Sequence, residues 1–456
     1  MKFLMLRLTP AGIRRRWLES PQLRLIAENF GWLVGDRVLR MGFGMLIGVW
    51  MARYLGPEQF GMFTYVQAVI ALFLGFSTLG LDTIVVQQLV REVGSKARIL
   101  GTTLALRLVG ALAALVASLL VIAWSRPGDH LIQLLAAILG SATVFQAFDT
   151  VDLWFQSQVQ SKYTVIVKNT AFAVMAVVKV YLILSQAPVL AFAWATLAEA
   201  GLGGLFLLLA YRYQKEDPAT WQVDWARAKS LMQAAWPMIL SSLAVMIYMR
   251  IDQIMLGQIS GNQAVGVFSA ASRISEVWYF IPMAIASSVT PNLVAAKELG
   301  EAIYQRRFEQ FFRLMVALAL LIVVPVAIFA KPLVVLLYGY AYASAGPILA
   351  IQIWTAVFVF LGVAQGPWFV IENLTKLALQ RTMGGAVVNV GLNILLIPRY
   401  GGLGAAVASL VAQIISNVVM NALDRRTLHL FWMVLKSFNL LSKSANRSGP
   451  GKGADA

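Results

Sequence analysis

Apolar runs about the length of a membrane crossing follow one another along most of the chain, broken by Gly, Pro and clusters of charge. A helix crossing a hydrocarbon core about 30 Å thick needs roughly 20 apolar residues. Residues 62–81 and 400–423 meet that length without a single charge. Taken with the breaker signals, the pattern predicts twelve helical spans: 31–53, 61–82, 101–124, 131–154, 164–185, 188–211, 231–256, 265–290, 309–330, 344–370, 377–397 and 402–423. The expected class is an all-α polytopic membrane protein.

The pattern also repeats. MARYLGPEQFGMF at 51–63 is a Gly-Pro corner between two apolar runs, and MLGQISGNQAVGVF at 255–268 has the same form. At an offset of 205, Gly56, Gly61 and Phe63 fall on Gly261, Gly266 and Phe268 without a gap. Arg107-Leu108 falls on Arg313-Leu314 at an offset of 206. LWFQSQVQSK (153–162) falls on PWFVIENLTK (367–376) at 214, which also places Glu199 on Gln413 and Arg212 on Arg426. These matches keep their order and divide the spans six and six. They therefore predict an internal duplication: an N-terminal bundle over 31–211 and a C-terminal bundle over 231–423, joined by a linker over 212–230. A basic arm (1–30) and a basic tail (424–456), disordered at its end, flank them. Six spans is an even number, so the halves share one orientation about a pseudo-twofold axis along the membrane normal, around a central cleft. Glycines let the backbone turn tightly at the corner, which is expected to shape the fold and to touch no substrate.

Composition agrees with the membrane reading. The chain is 59% hydrophobic and 13% charged, against about 25% charged in an ordinary soluble domain, and its mean hydropathy is +0.73. It has no cysteine and only His130 and His429, so neither a metal site nor a cofactor is expected. The first 20 residues, with a short apolar run and no small-residue cleavage site, do not read as a removable signal peptide. A net charge of +16 invites a nucleic-acid reading until the charges are placed. With the N-terminus inside, the inner segments hold twenty-five Lys and Arg, Lys376 and Arg381 among them, and the outer loops hold only Arg53, Arg126, Lys331 and Arg399. This is the positive-inside bias. It predicts cytoplasmic termini, and no nucleic-acid partner is expected.

The Leu-Gly-Pro-Glu-Gln-Phe-Gly corner (55–61), preceded by an Arg-bearing first span and followed by GLDTIVVQQLVRE (80–92), resembles Wzx-type polysaccharide exporters. These form the polysaccharide transporter branch of the multidrug/oligosaccharidyl-lipid/polysaccharide flippase superfamily. The resemblance covers roughly residues 30–425. It implies a V-shaped pair of bundles in the bacterial cytoplasmic membrane, moving an undecaprenyl-pyrophosphate-linked sugar repeat unit outward. Implied partners are that lipid-linked oligosaccharide, membrane lipids, and a polysaccharide polymerase with its chain-length regulator. The lipid II flippase branch resembles a fourteen-span protein. Here only LHLFWMVLKSF is apolar after residue 423, too short to cross.

Charges inside spans cost about 2.5–3.5 kcal/mol each on insertion scales and usually face a cavity. Eight basic residues fall there: Arg37, Arg40, Arg107, Lys168, Lys179, Arg250, Arg273 and Arg313. Five acids join them: Asp36, Asp149, Glu199, Asp252 and Glu276. Helical spacing allows Asp36 to pair with Arg40 and Arg273 with Glu276, and cations remain in excess even then. Arg37, Arg40, Arg107, Lys168 and Arg313 fall in the inner halves of their spans; Lys179, Arg250 and Arg273 fall in the outer halves. A pyrophosphate would meet cations on entry and again on exit, and arginine's planar fork suits phosphate oxygens. The acids are candidates for ion pairing or energy coupling. Trp50, Trp154, Trp194, Trp278, Tyr279, Trp354 and Trp368 fit interfacial belts or core packing, with sugar stacking as the alternative. Two rivals stay open: a cation-coupled multidrug exporter using Glu199 and Asp149, and a membrane enzyme. The second would normally need a sizeable non-membrane region, and the longest interior connection, 212–230, is about 19 residues.

Overall fold

The computed structural model describes residues 21–439. Most of the expected arm and the far end of the expected tail lie outside them. Among the described residues every regular element is helical. Those that frame the site are α1 (Pro21–Leu72), α2 (Asp82–Arg91), α3 (Lys96–Ser125), α4 (His130–Phe145), α5 (Ser161–Leu184), α6 (Val189–Tyr213), α7 (Trp225–Ile259) and α8 (Asn262–Glu276). They continue with α9 (Phe280–Glu298), α10 (Glu301–Ile328), α11 (Ala345–Gln352), α12 (Thr355–Ile371), α13 (Thr375–Asn417) and α14 (Leu428–Ser437).

Nine segments among the described residues are long and apolar enough to cross a membrane, or ten with the bent pair Leu39–Leu72 and Leu74–Arg91. Twelve were expected. The counts part where the helix runs on through a glycine corner. The α13 helix has 43 residues, about 65 Å at 1.5 Å per residue and twice a hydrocarbon core. It is interrupted at Gly401 (φ 53°, ψ −129°), just after Pro398. The α1 helix has 52 residues and is interrupted at Gly56 (φ 71°, ψ 171°).

Gly56 and Gly261 share one backbone conformation, since Gly261 caps α8 at φ 84°, ψ 176°. Side chains rarely tolerate this region, so glycine is required at both corners. The two corners also meet. A Cβ on Gly61 would lie 1.8 Å from the Asn262 carbonyl oxygen, and one on Gly266 would lie 2.0 Å from that of Pro57. Three residues on, Ser269 Oγ donates to Thr64 Oγ1 at 3.2 Å. The 205-residue offset carries Gly61 to Gly266 and Pro57 to Asn262, so the first two contacts exchange under it, and the third joins two residues 205 apart; a pseudo-twofold axis therefore runs between α1 and α8. Lipid tails are as apolar as the side chains, so such crossings are stabilised by close packing of small residues. A reciprocal latch flanks the crossing. Arg126 Nη2 donates to the Gly257 carbonyl, and the Tyr342 hydroxyl donates to the Ala52 carbonyl at 2.7 Å. Ala52 and Gly257 are again 205 residues apart. The bundles are thus sealed together at the corner end.

At the opposite end the connection 214–224 is strapped onto the N-terminal bundle. Lys96 Nζ lies 2.5 Å from Glu216 Oε2, Gln222 N donates to Ala97 O at 3.2 Å, and Asp224 N donates to Thr102 Oγ1 at 2.9 Å. Leu231, Ala235 and Ile239 of α7 join a core with Leu81, Val85, Trp154 and Tyr211. The first turns of α7 therefore pack with the N-terminal bundle. At the start of the tail, α14 docks against α10 and buries Leu430, Met433 and Val434.

Candidate functional site

A cavity of about 450 Å³ opens inside the N-terminal bundle. Arg40, Gly44 and Gly48 of α1, Asp149, Lys168 and Lys179 of α5, and Glu199 of α6 contribute to its wall, and Arg273 reaches in from α8 of the other bundle. Four cations face two carboxylates. The cavity gathers charges from both ends of the expected spans: Arg40 and Lys168 from inner halves, Lys179 and Arg273 from outer halves.

The pairing inside it follows local geometry. Arg40 Nε donates to Asp36 Oδ1 at 2.8 Å, as the one-turn spacing predicts. Its Nη2 is buried and has no acceptor. Lys168 Nζ lies 2.8 Å from Asp149 and 3.4 Å from Asp152, and Lys179 Nζ lies 2.7 Å from Glu199. Both cavity carboxylates are therefore neutralised by lysines. Arg273 differs. Its guanidinium stands 4.8 Å from the centroid of the Phe60 ring, and among the described residues it forms no ion pair. Gly48 makes room for it, since a Cβ there would lie 2.7 Å from Arg273 Nη1.

The expected Arg273–Glu276 pair does not form. Glu276 instead faces Arg250 across α7 and α8, at 3.6 Å, because α8 turns Arg273 toward Phe60 and the neighbouring bundle. The remaining candidates scatter. Arg250 and Glu276 do not line the cavity. Arg107 pairs with Asp82 and lines a separate pocket of about 190 Å³ with Asp149 and Asp152. Arg313 is half-buried on α10, away from the cavity, and the Arg37 side chain lies outside the described residues. None of the seven candidate aromatics lines the cavity. Trp154 and Trp368, paired by the 214-residue offset, are both buried edge-on against the next residue, at 4.9 Å from Phe155 and 5.3 Å from Phe369.

Asp252 stands apart. It is 5% exposed, deep in the C-terminal bundle. Asn393 Nδ2 donates to its Oδ1 at 2.6 Å, and Ser409 Oγ donates to its Oδ2. Asn389 Oδ1 lies 3.2 Å from Asn393 Nδ2. No cation pairs with this carboxylate among the described residues, and Asn393 Oδ1 is buried without a partner. Asn389, Asn393 and Ser409 read as unremarkable polar residues in apolar spans. Only the packing of α7 on α13 turns them toward Asp252. Asp82 and Asp152 were likewise missed, because they lie at the ends of spans.

Two bundles of long apolar helices related by a pseudo-twofold axis, with a charged cavity inside, define a membrane transporter fold. The "Polysaccharide biosynthesis protein" family model matches residues 26–297, more than half of the chain, and the chain belongs to that family. A second model, MatE, matches residues 237–395. The probable low-salt glycan biosynthesis flippase Agl15 of Haloferax volcanii is 23% identical over 222 residues, 48% of this chain and 46% of that one. The match therefore spans about half the length of that curated relative. The lipid II flippase MurJ, in an inward closed conformation, superposes with TM-score 0.70 at 13% identity, covering 90% of this chain and 91% of the other. A multidrug resistance MATE family transporter of the MOP superfamily, in its inward-facing conformation, superposes with TM-score 0.69 at 18% identity, covering 89% and 96%. At these identities the likeness is one of fold.

Proposed function

We propose that the protein is a flippase that carries an undecaprenyl-pyrophosphate-linked oligosaccharide repeat unit from the inner to the outer leaflet of the bacterial cytoplasmic membrane by alternating access. The product would serve surface polysaccharide synthesis (O-antigen, capsule or exopolysaccharide), with a polymerase and chain-length regulator acting after it. In this reading α1 and α13 each carry two of twelve spans, parted at Gly56 and Gly401, and both termini face the cytoplasm.

One observation carries the proposal: the cavity's carboxylates are occupied by lysines, while among the described residues Arg273, and Nη2 of Arg40, have no anion. A site so arranged attracts phosphate oxygens. The pyrophosphate sits between Arg40 and Arg273, the sugars follow it into the cavity, and the lipid tail stays in the bilayer. Arg273 belongs to the opposite bundle, so separating the bundles withdraws it and weakens the site. Binding is thereby coupled to the alternation. Asp252 is the coupling acid of this scheme, taking up a proton or a sodium ion, because it alone among the five candidate acids has no cationic partner among the described residues. A cation-coupled drug exporter would need free carboxylates in the cavity, and Asp149 and Glu199 are not free.

The test is reconstitution of the purified protein into vesicles carrying the lipid-linked oligosaccharide in one leaflet. The expected result is transfer to the other leaflet, slowed by Arg273→Ala and partly recovered in Arg273→Lys. Export of cationic dyes with no glycan transfer would replace this function with the exporter.

A further inference from the structure

Arg381 reads in the hydropathy pattern as a loop cation at the start of a span. The structure instead buries it two turns into α13, with 9% of its surface exposed. Its partners are neutral: Nη1 donates to Gln365 Oε1, and the guanidinium stands 4.9 Å from the Phe369 ring centroid. Nε is buried and has no acceptor. Among the described residues no carboxylate forms an ion pair with it. A buried charge with neither counter-ion nor complete hydrogen bonding is strongly unfavourable, so this one calls for an explanation.

The explanation lies beside it. Arg381 lines a pocket of about 190 Å³ with Gln380, Asn421, Asp424 and Thr427, at the end of the C-terminal bundle opposite the glycine corner. That is about six times the ~30 Å³ of one liquid water. Asp424 does not supply the missing anion. Arg426 holds both of its oxygens, Nε to Oδ1 at 3.1 Å and Nη2 to Oδ2 at 2.9 Å. Asn421 Nδ2 is committed to Gln365 Oε1 at 2.9 Å, and Thr427 Oγ1 to Asn421 O at 2.8 Å. Arg381 is thus the lining residue with a donor, Nε, that has no acceptor among the described residues, and the exposed Gln380 lies beside it.

We propose that this pocket binds an anion of the phosphate class, with the Arg381 guanidinium as its charged ligand. Two sources share that chemistry, a phospholipid headgroup and free phosphate. The surroundings favour the headgroup. Helix α14 begins one residue past the pocket and leaves Leu428, Trp432 and Leu435 exposed beside Lys436. An aromatic and aliphatic face edged by a cation is the pattern of a segment lying in the lipid interface. The site is separate from the cavity of the N-terminal bundle and does not depend on the flippase reading.

The experiment uses the full-length protein in nanodiscs of phosphatidylglycerol or phosphatidylcholine, with retained lipid counted by native mass spectrometry. In parallel, inorganic phosphate is titrated against thermal stability in detergent. Gln380→Glu and Gln380→Lys place opposite charges at an exposed position beside the pocket without disturbing the Arg381 network. Phosphatidylglycerol should bind about fivefold more weakly to Gln380→Glu and about fivefold more tightly to Gln380→Lys, while phosphatidylcholine is not selectively retained. Arg381→Gln should abolish the preference. If inorganic phosphate shows the same dependence at position 380 and phosphatidylglycerol no advantage over it, the ligand is the free anion. If neither inorganic phosphate nor phosphatidylglycerol responds to the charge at 380, the proposal is overturned.

Discussion

In the N-terminal bundle Lys168 and Lys179 each lie within 2.8 Å of a carboxylate and face an open cavity. In the C-terminal bundle Asp252 and Arg381 are buried, each without an opposite charge among the described residues. The two halves share a glycine corner, a buried Trp-Phe step and a topology. Their charges, however, are arranged differently. One half lines an open cavity with four cations and two carboxylates. The other keeps single charges in small polar cradles.

The sharpest way to break the comparison is at the axis the halves share. Gly61→Val or Gly266→Val forces a side chain into a carbonyl of the opposite helix, and no nearby side chain can yield to relieve it. Thr64→Cys with Ser269→Cys should cross-link across the bundles under oxidation, since their hydroxyls are 3.2 Å apart and the chain has no other cysteine. Either valine should abolish that cross-link and transport with it. Persistence of the cross-link would mean that the corner end does not close through this contact.

Next in size is the separation of coupling from binding. Asp252→Ala should reduce transport by about a hundredfold or more while leaving glycan-lipid binding unchanged. Arg273→Ala should weaken that binding by about tenfold, the loss of one charge-assisted contact. Equal losses of binding in both would erase the distinction between the halves.

A smaller effect tests the ion pairs. Lys179→Ala leaves Glu199 without its partner and should lower stability by about 2 kcal/mol, seen as reduced abundance that Lys179→Ala with Glu199→Ala restores. Glu276→Ala should likewise rescue the abundance of Arg250→Ala, its partner at 3.6 Å, and should not rescue transport in Arg273→Ala. Rescue of the latter would return Glu276 to the pairing that helical spacing alone suggests. The smallest change is Gly48→Ala. Its new methyl meets only the flexible end of Arg273, so substrate affinity should fall about twofold at normal abundance.

Orientation is tested separately. Gln263 is exposed at the corner end and Arg91 at the other. Cysteine at Gln263 should react with an impermeant thiol reagent added outside, and cysteine at Arg91 only after permeabilisation. The reverse pattern would overturn the direction of transport.

Sequence by itself determined the medium, the elements and the duplication. Apolar length against bilayer thickness is a one-dimensional property, so the apolar runs could be read directly, while the expected twelve spans meet nine or ten crossing segments among the described residues. A glycine required at positive φ leaves a mark at a single position, so the corner could be recognised twice. It also determined that cations inside the spans outnumber acids, and that Asp36 and Arg40 pair, because four residues on one helix are always neighbours. What it could not determine was any relation between helices. Whether Glu276 meets Arg273 or Arg250, whether Arg381 is in a loop or buried, and whether Asn389, Asn393 and Ser409 converge on Asp252 depend on how α7, α8 and α13 rotate about their own axes. In lipid no gradient of hydrophobicity fixes that rotation. Close packing at small residues and interhelical hydrogen bonds fix it instead, and these exist only once the helices have met.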